Sequence, residues 1–328
     1  MLNAAVVGVG HLGRHHARIL SELEGVKLVA VIDPNEEQGN AVATGCGAKW
    51  LPELDGIEDQ LDMAVIAVPT VLHEKCAGPL LDAKVACLIE KPMAPDPDAC
   101  QRIMDRATAN NTFVAVGHVE RFNPAVRRAI DLGIEARFIE AHRLAPYSFR
   151  STDVGVVLDL MIHDIDLANA WTQSQVVAVD AVGGATFSPS EDIASARISY
   201  ANGAVANLTA SRLSLKPMRR FRVFGPDSYL SVDSQDKYAL LVKKSDNFSP
   251  QLMQDLMMSD NPQAEFGKLL DIEELHLNDD EPLRAELSEF IAAVAGNESK
   301  VVTGEEGMHA VAVAHQVMQA LLDCKWSG

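Results

Sequence analysis

The sequence predicts an α/β chain of two domains: a doubly wound parallel sheet over residues 1–119, then an α+β domain over 120–328 whose sheet is mostly antiparallel. Three observations carry that expectation. The first third alternates short apolar runs of β type with amphipathic stretches, the pattern that lays helices on both faces of a parallel sheet. A glycine-rich turn separates the first apolar run from the first amphipathic stretch. Beyond residue 175 apolar runs are joined by turn signals such as Ala201-Asn202-Gly203 and Gly225-Pro226-Asp227, as in antiparallel sheets.

In chain order, residues 3–8, 27–32, 62–68, 85–89 and 112–116 read as strands, and 11–23, 36–44, 71–83 and 96–110 as the helices between them. Pro95-Asp96-Pro97 marks the start of the last helix, because proline fits a first helical turn and Asp suits its positive end. The rhythm then changes to a helix near 122–132, a strand near 135–144 and a strongly apolar helix near 154–171. Strands follow near 176–187, 192–201, 204–212, 219–225, 228–233 and 236–243. The polar, Met-rich segment 245–264 shows no clear period and is expected as an exposed excursion. Two helices, 282–295 and 305–324, close the chain, the first with Leu283, Leu287, Phe290, Ile291 and Val294 as its apolar face.

Composition narrows the function. Of 328 residues 48% are hydrophobic and 23% charged, which excludes disorder. Lys plus Arg number 28 against 46 Asp plus Glu, and the net charge of -18 repels polyanions, so a nucleic-acid partner is not expected. Cys46, Cys76, Cys87, Cys100 and Cys324 form no CxxC pair and read as reduced thiols of a cytoplasmic protein. No apolar run approaches the roughly 18–20 residues of a membrane span, and MLNAAVVGVG lacks the basic start of a leader. No membrane association is expected.

The strand NAAVVG runs into Gly8-Val9-Gly10-His11-Leu12-Gly13 and then a helix, the context in which GxGxxG binds a dinucleotide. The first glycine permits the turn, the second lets backbone approach a pyrophosphate, and the third packs helix on strand. Asp33 ends the second strand 20 residues past Gly13, where a carboxylate can accept both ribose hydroxyls of an adenosine. The competing reading is a plain glycine turn with Asp33 capping Pro34-Asn35. Pro34-Asn35-Glu36-Glu37 offers no Arg or Lys for a 2′-phosphate, so NAD is expected rather than NADP. Pro69, Thr70 and His73 follow a strand into a loop at the carboxyl edge of the sheet and are candidate cofactor neighbours, although His73 reads equally as a partly exposed helix residue.

Two further features carry chemistry. Strand VACLIE ends in Glu90-Lys91-Pro92, which puts a lysine at the same carboxyl edge; its ammonium could hold a substrate hydroxyl and stabilise the alkoxide that forms as hydride leaves. A surface lysine at a strand end is the alternative. On the apolar helix, Asp159 and His163 are four residues apart and share a face, with Asp166 a turn further. An imidazole oriented by a carboxylate is a common general base. A core histidine satisfied by Asp, or a metal site from Asp159, His163 and Asp166, are the other readings. The metal reading lacks further ligands at suitable spacing, so no metal is expected.

These segments in this order resemble the glucose-fructose oxidoreductase/inositol dehydrogenase (Gfo/Idh/MocA) family over nearly the whole chain: the GVGHLG turn, Val68-Pro69-Thr70 before His73, Glu90-Lys91-Pro92, the Asp159–His163 helix and the late sheet. The resemblance implies an N-terminal Rossmann domain, an open-faced C-terminal sheet, NAD or NADP, and oxidation or reduction of a sugar or cyclitol carbon. It places the catalytic lysine at Lys91 and the helix-borne aspartate and histidine at Asp159 and His163. It places the cofactor at Gly8, Gly10, His11, Leu12, Gly13, Asp33, Pro69, Thr70, His73 and Glu90, and implies a homodimer or homotetramer assembled through the sheet. The family's frequent glycine triplet before the catalytic helix is here Asp153-Val154-Gly155-Val156.

GHVERFNPAV, RSTDVGVVLDLMIHDID and TASR carry a narrower likeness to nucleotide-sugar 3-dehydrogenases. That likeness implies oxidation of the 3-hydroxyl of a UDP-N-acetylhexosamine, with the keto product passed to an aminotransferase. Arg121, Asn123, Arg150 and Arg212 are the expected substrate contacts, because a pyrophosphate needs such donors. The basic run Arg212, Lys216, Arg219, Arg220 and Arg222 reads otherwise as a solvated or subunit-facing strand. A dehydrogenase of a free sugar or inositol, and a non-catalytic NAD sensor, are the competing functions.

Overall fold

The computed structural model describes residues 1–54, 56–147, 154–259, 261–262, 266–275, 277 and 280–324. The chain divides into two compact units, Met1–Phe122 with Asp280–His315, and Asn123–Asp279 with Gln316–Gly328.

In the first unit, β1 (Leu2–Val7), β2 (Val26–Ile32), β3 (Lys49–Leu51), β4 (Met63–Ile66), β5 (Ala86–Glu90) and β6 (Val114–Gly117) form one parallel sheet in the order β3-β2-β1-β4-β5-β6. The order reverses at β1, and in such sheets ligands bind outside the carboxyl ends of the strands at that point. Every residue of β4, β5 and β6 is buried, which explains their unbroken apolar runs: helices cover both faces. Helix α1 (Gly13–Glu22) buries Ala17, Ile19 and Leu20. Helix α2 (Glu36–Cys46) starts under Asn35, whose side chain accepts from Gln38 N at 3.1 Å. The next two helices are α3 (His73–Asp82) and α4 (Pro97–Ala109). Asp96 caps α4 through Ala99 N at 2.8 Å with Pro97 in the first turn, the start signal read from the sequence.

A single boundary at 119/120 does not describe this division, because Asp280–His315 returns to the first unit. The helix Pro282–Val294 buries Leu287 and Phe290 among Val6, Leu20 and Leu88, and Phe290 stacks on Phe113 with centroids 6.3 Å apart. Val302 O accepts from Val116 N at 2.9 Å, so the returning chain also covers the β6 edge. The apolar face of a late helix is visible in a sequence; which of two cores it fills is a matter of tertiary packing.

The second unit holds an eight-stranded sheet in the order β14-β13-β12-β11-β7-β10-β9-β8. Its strands are β7 (Phe138–Leu144), β8 (Val176–Gly184), β9 (Ile193–Tyr200), β10 (Val205–Ser211), β11 (Met218–Phe224), β12 (Ser228–Asp233), β13 (Tyr238–Lys244) and β14 (Leu270–Glu274). β7 and β10 pair in parallel and the other neighbours pair antiparallel. Alternation along β7 separates buried Ile139, Ala141 and Arg143 from half-exposed Phe138, Glu140, His142 and Leu144. The long helix ending at Thr172 lies on the buried side, with Trp171 stacked on Phe221 at 5.7 Å. The other face stays open, and Glu140, His142, Asp180, Arg197, Asn207 and Thr209 line a polar groove on it.

Three elements depart from the sequence reading. β3 is only three residues long. β14 is a short edge strand with Asp271, Ile272, Glu273 and Glu274 exposed, so its brief Leu-Asp-Ile-Glu alternation marks no buried face. Within 245–264, Pro250–Met257 is a helix capped by Ser249 through Leu252 N at 3.0 Å; it buries only Leu256, so its periodicity is faint. All five cysteines are free thiols. Among the described residues no helix is long and apolar enough to cross a membrane, and no His/Cys/Asp/Glu group could hold a metal.

Candidate active site

The Gly-rich turn is built for close backbone contact. Gly8 has φ +83°, and a Cβ there would lie 2.8 Å from Ala67 O; a Cβ on Gly13 would lie 1.9 Å from Gly8 O. These glycines are required by the fold itself. Gly10 is different: a Cβ there meets nothing within 4 Å, so the protein leaves open space over this residue. His11 and Leu12 are exposed beside it, ahead of the first N–H groups of α1. Asp33 Oδ2 accepts from Val9 N at 2.8 Å and Oδ1 from Asn35 N at 2.8 Å. The carboxylate thus sets the shape of the turn and keeps about two of its roughly four acceptor positions for ribose hydroxyls. Its charge opposes a 2′-phosphate, and NAD is expected to bind at least about tenfold tighter than NADP; equal affinities in a titration would contradict this placement of Asp33.

At the carboxyl edge, Pro69 is exposed and Thr70 buried. His73 is not the partly exposed residue expected. It is 1% exposed, with Nε2 2.9 Å from Val68 O and Nδ1 3.1 Å from Pro92 O and 3.2 Å from Met93 O. Burial pushes its imidazole below the ordinary value, against the opposing pull of the three carbonyls. The neutral imidazole donates from one ring nitrogen, either to Val68 O or to the Pro92 and Met93 carbonyls, and packs between the loop after β4 and the loop after β5, which buries it away from the direct cofactor contact expected. Lys91 is half-exposed at the end of β5 and is joined to Pro92 by a cis peptide bond. Glu90, expected beside the cofactor, is buried: Oε1 pairs with His16 Nε2 at 2.7 Å and Oε2 accepts from Lys91 N at 3.2 Å.

In the second unit the helix foreseen at 154–171 opens as a wide π turn, Val157–Met161, and continues as α5 (Ile162–Thr172). Such turns re-aim side chains and often mark functional sites. Asp159, Leu160 and His163 are half-buried, while Val157, Leu158, Met161, Ile162, Ile165 and Asp166 are buried. One part-open stripe therefore carries the carboxylate and the imidazole. Asp164 faces inward and receives Arg143 of β7 through two hydrogen bonds, 3.0 and 2.8 Å long. Glu191 caps the helix start, its carbonyl and carboxylate accepting from Val156 N and Val157 N at 3.0 and 3.2 Å. A Cβ on Gly155 would lie 1.9 Å from Glu191 Oε1, so this one glycine makes room for the cap without a glycine triplet.

Three of the expected substrate contacts have internal partners. Arg121 donates to Glu306 Oε1 at 2.6 Å. Asn123 accepts from Ala125 N at 3.0 Å and donates to Ser234 O at 3.2 Å. Arg212 is 4% exposed, donates to Val154 O at 2.8 Å and pairs with Asp192 at 3.8 Å. Each is engaged in fixing the fold, because an isolated buried donor or charge is costly. Arg150 lies outside the described residues. Of the basic run, Arg220 pairs with Asp233 at 3.3 Å and Arg222 with Glu140 at 2.8 Å, while Lys216 and Arg219 are exposed.

Asp192 was not foreseen. Its Oδ2 gathers the N–H groups of Thr186, Phe187 and Ser188 at 2.8, 2.6 and 3.0 Å. Burial opposes its charge, but the Ser188 hydroxyl and these N–H groups outweigh that and hold the carboxyl down to about 2, from an ordinary 3.8. A carboxyl depressed in the folded state stabilises it above the unfolded value and loses that contribution as pH falls toward the folded one. About 2 kcal/mol should therefore vanish between about pH 4 and 2. Urea midpoints for Asp192→Asn should show a correspondingly flatter acid limb, and an unchanged limb would contradict the assignment.

Family models match both parts of the chain: "Oxidoreductase family, NAD-binding Rossmann fold" over residues 2–118 and "GFO/IDH/MocA C-terminal domain" over 133–231. A UDP-N-acetylglucosamine 3-dehydrogenase from Acidithiobacillus ferrooxidans is 33% identical over 98% of this chain and 97% of its own. The chain belongs to the Gfo/Idh/MocA family. It is an NAD-dependent oxidoreductase of the CH–OH group. The solved structure of the A. ferrooxidans enzyme superposes with a TM-score of 0.87, covering 98% and 97% of the two chains. An inositol 2-dehydrogenase from Rhizobium meliloti is 24% identical over 97% and 96%. A levoglucosan dehydrogenase complexed with NADH, at 17% identity, 98% and 97% coverage and TM-score 0.83, shares the fold.

The residues fit the family's cofactor. The open space over Gly10 suits a pyrophosphate, the positive N-terminal end of α1, which no side chain caps, suits its charge, and Asp33 suits an unphosphorylated ribose. Sequence reasoning missed His16, Gly117 and Asp192. For His16 a signal existed: an imidazole among Ala17, Ile19 and Leu20 on the buried side of an amphipathic helix.

Proposed function

We propose that this family member oxidises the 3-hydroxyl of a UDP-N-acetylhexosamine to a 3-keto sugar. The observation that carries this reading is the 33% identity to the UDP-N-acetylglucosamine 3-dehydrogenase along the full length of both chains, against 24% for the inositol enzyme. NAD, when bound, supplies the hydride acceptor. His163 takes the proton from the hydroxyl, and Asp159, one turn earlier on the same half-buried stripe, orients its imidazole. The Lys91 ammonium donates to the same oxygen and stabilises the charge that develops there. Gly10, Gly13, Asp33, His11, Leu12, Pro69 and Thr70 hold the dinucleotide.

One observation favours a second reading, a free sugar or inositol as substrate: Arg121, Asn123 and Arg212 are engaged inside the fold, which leaves fewer donors for a pyrophosphate. The deciding experiment incubates the purified protein with NAD and UDP-N-acetylglucosamine, N-acetylglucosamine or inositol and follows NADH absorbance. Saturable turnover of the nucleotide sugar alone, with a keto product trapped by an amine, is expected. Turnover of the free sugar or inositol alone would replace this reading with the second.

The open sheet face, where Phe138, Phe224 and Tyr229 cluster with ring centroids 5.6 and 4.9 Å apart, is assigned under the same proposal to a second copy of the chain, in a homodimer or homotetramer. The proposed setting is cytoplasmic, and an aminotransferase is the class of enzyme that would consume the keto product.

A further inference from the structure

A histidine and a glutamate buried beside the cofactor turn have no role in the chemistry above. His16, on the inner side of α1, is 0% exposed, and Glu90, the last residue of β5, is 8% exposed. Their 2.7 Å contact joins the helix that opens at the Gly-rich turn to the strand that ends at Lys91. The other Glu90 oxygen receives the Lys91 N–H at 3.2 Å. Across the sheet Glu90 pairs with Gly117, where a Cβ would lie 3.2 Å from the carboxylate carbon, so the neighbouring strand leaves the carboxylate room. Burial raises the Glu90 carboxyl, but the hydrogen bond from His16 and the charge of Lys91 outweigh it and leave the group lowered, ionised at neutral pH. A carboxylate and an imidazole buried here cost free energy that hydrophobic packing alone would avoid, and a charge-assisted hydrogen bond offsets that cost.

We infer that His16 and Glu90 are positioning residues for Lys91: His16 fixes the Glu90 carboxylate, and Glu90 fixes the Lys91 backbone and holds its ammonium by charge. The helix that receives the dinucleotide phosphates is thereby tied to the group that meets the substrate oxygen. This inference rests on the role proposed for Lys91.

The test uses the full-length protein with whichever sugar it oxidises. His16→Leu and Glu90→Gln are each expected to lower kcat about tenfold while the Kd for NAD stays within about threefold. His16→Gln, which keeps an N–H for Glu90, should stay within about threefold of the parent. In a Lys91→Ala background His16→Leu should add less than about a twofold loss, because its effect passes through the missing ammonium. Without cofactor, hydrogen exchange at the Lys91 amide should accelerate about tenfold in His16→Leu and stay near parental in His16→Gln. A full further tenfold loss in the Lys91→Ala background, or parental exchange at Lys91 in His16→Leu, overturns the inference. Parental turnover of Lys91→Ala by itself would instead overturn the role proposed for Lys91, and the exchange experiment would still decide whether His16 holds that backbone.

Discussion

Alanine at Lys91 or at His163 is expected to lower turnover by about 10²-fold or more while NAD affinity stays within about threefold. The asymmetry follows from position. Lys91 leaves the end of β5, whereas the turn proposed to receive the dinucleotide is shaped by Gly8, Gly13 and Asp33. His163 stands on a helix of the other unit, half-exposed within an otherwise buried surface. Removing either side chain deletes a proton acceptor or a stabiliser of developing negative charge without disturbing the pyrophosphate turn. Steady-state kcat and fluorescence titration of NAD measure the two effects separately. Parental turnover in both variants would end the proposed assignment, and a parallel loss of NAD affinity would make the residues cofactor ligands instead.

Asp164→Leu is expected to destabilise the protein by about 3–5 kcal/mol. Arg143 and Asp164 have side chains 6% and 4% exposed and share a bidentate pair, so removing the carboxylate leaves a guanidinium charge out of water. The double substitution Arg143→Met with Asp164→Leu removes both charges and should cost clearly less than the single one. Urea unfolding of the three variants makes the comparison. A single-variant loss under about 1 kcal/mol would show that water reaches the pair. Because Asp164 follows His163 directly, the pair also fixes the helix rotation that puts His163 on the half-open stripe, and Asp164→Leu should lose activity at temperatures where it is still folded.

Several geometric features of the candidate site are legible in the sequence. GVGHLG between an apolar run and an amphipathic stretch, with Asp33 at the end of the next strand, required a turn of one shape, and the steric demands at Gly8 and Gly13 are those the sequence implied. The four-residue spacing of Asp159 and His163 likewise put both on one stripe. The internal partners of the expected substrate donors were not legible. Arg121, Asn123 and Arg212 have the right chemistry for a pyrophosphate, but composition cannot say whether a guanidinium faces a ligand or, like that of Arg212, a carbonyl and a carboxylate 58 and 20 residues away in the chain. His73 failed in the same way, since its three carbonyl partners lie on two separate loops.

Local pattern determined the alternation of strands and helices, the glycine turn, the capped start of α4 and the polar stripe on the buried helix. Each depends on residues a few positions apart, where backbone sterics and side-chain period act directly. Tertiary structure alone decided that the helix Pro282–Val294 closes the first core, that His16 meets Glu90 across 74 residues, and that Arg212 donates to Val154 O across 58 residues. Those contacts arise where distant segments compete for the same buried volume and the same hydrogen-bond partners, and the outcome of that competition is a property of the whole packed chain.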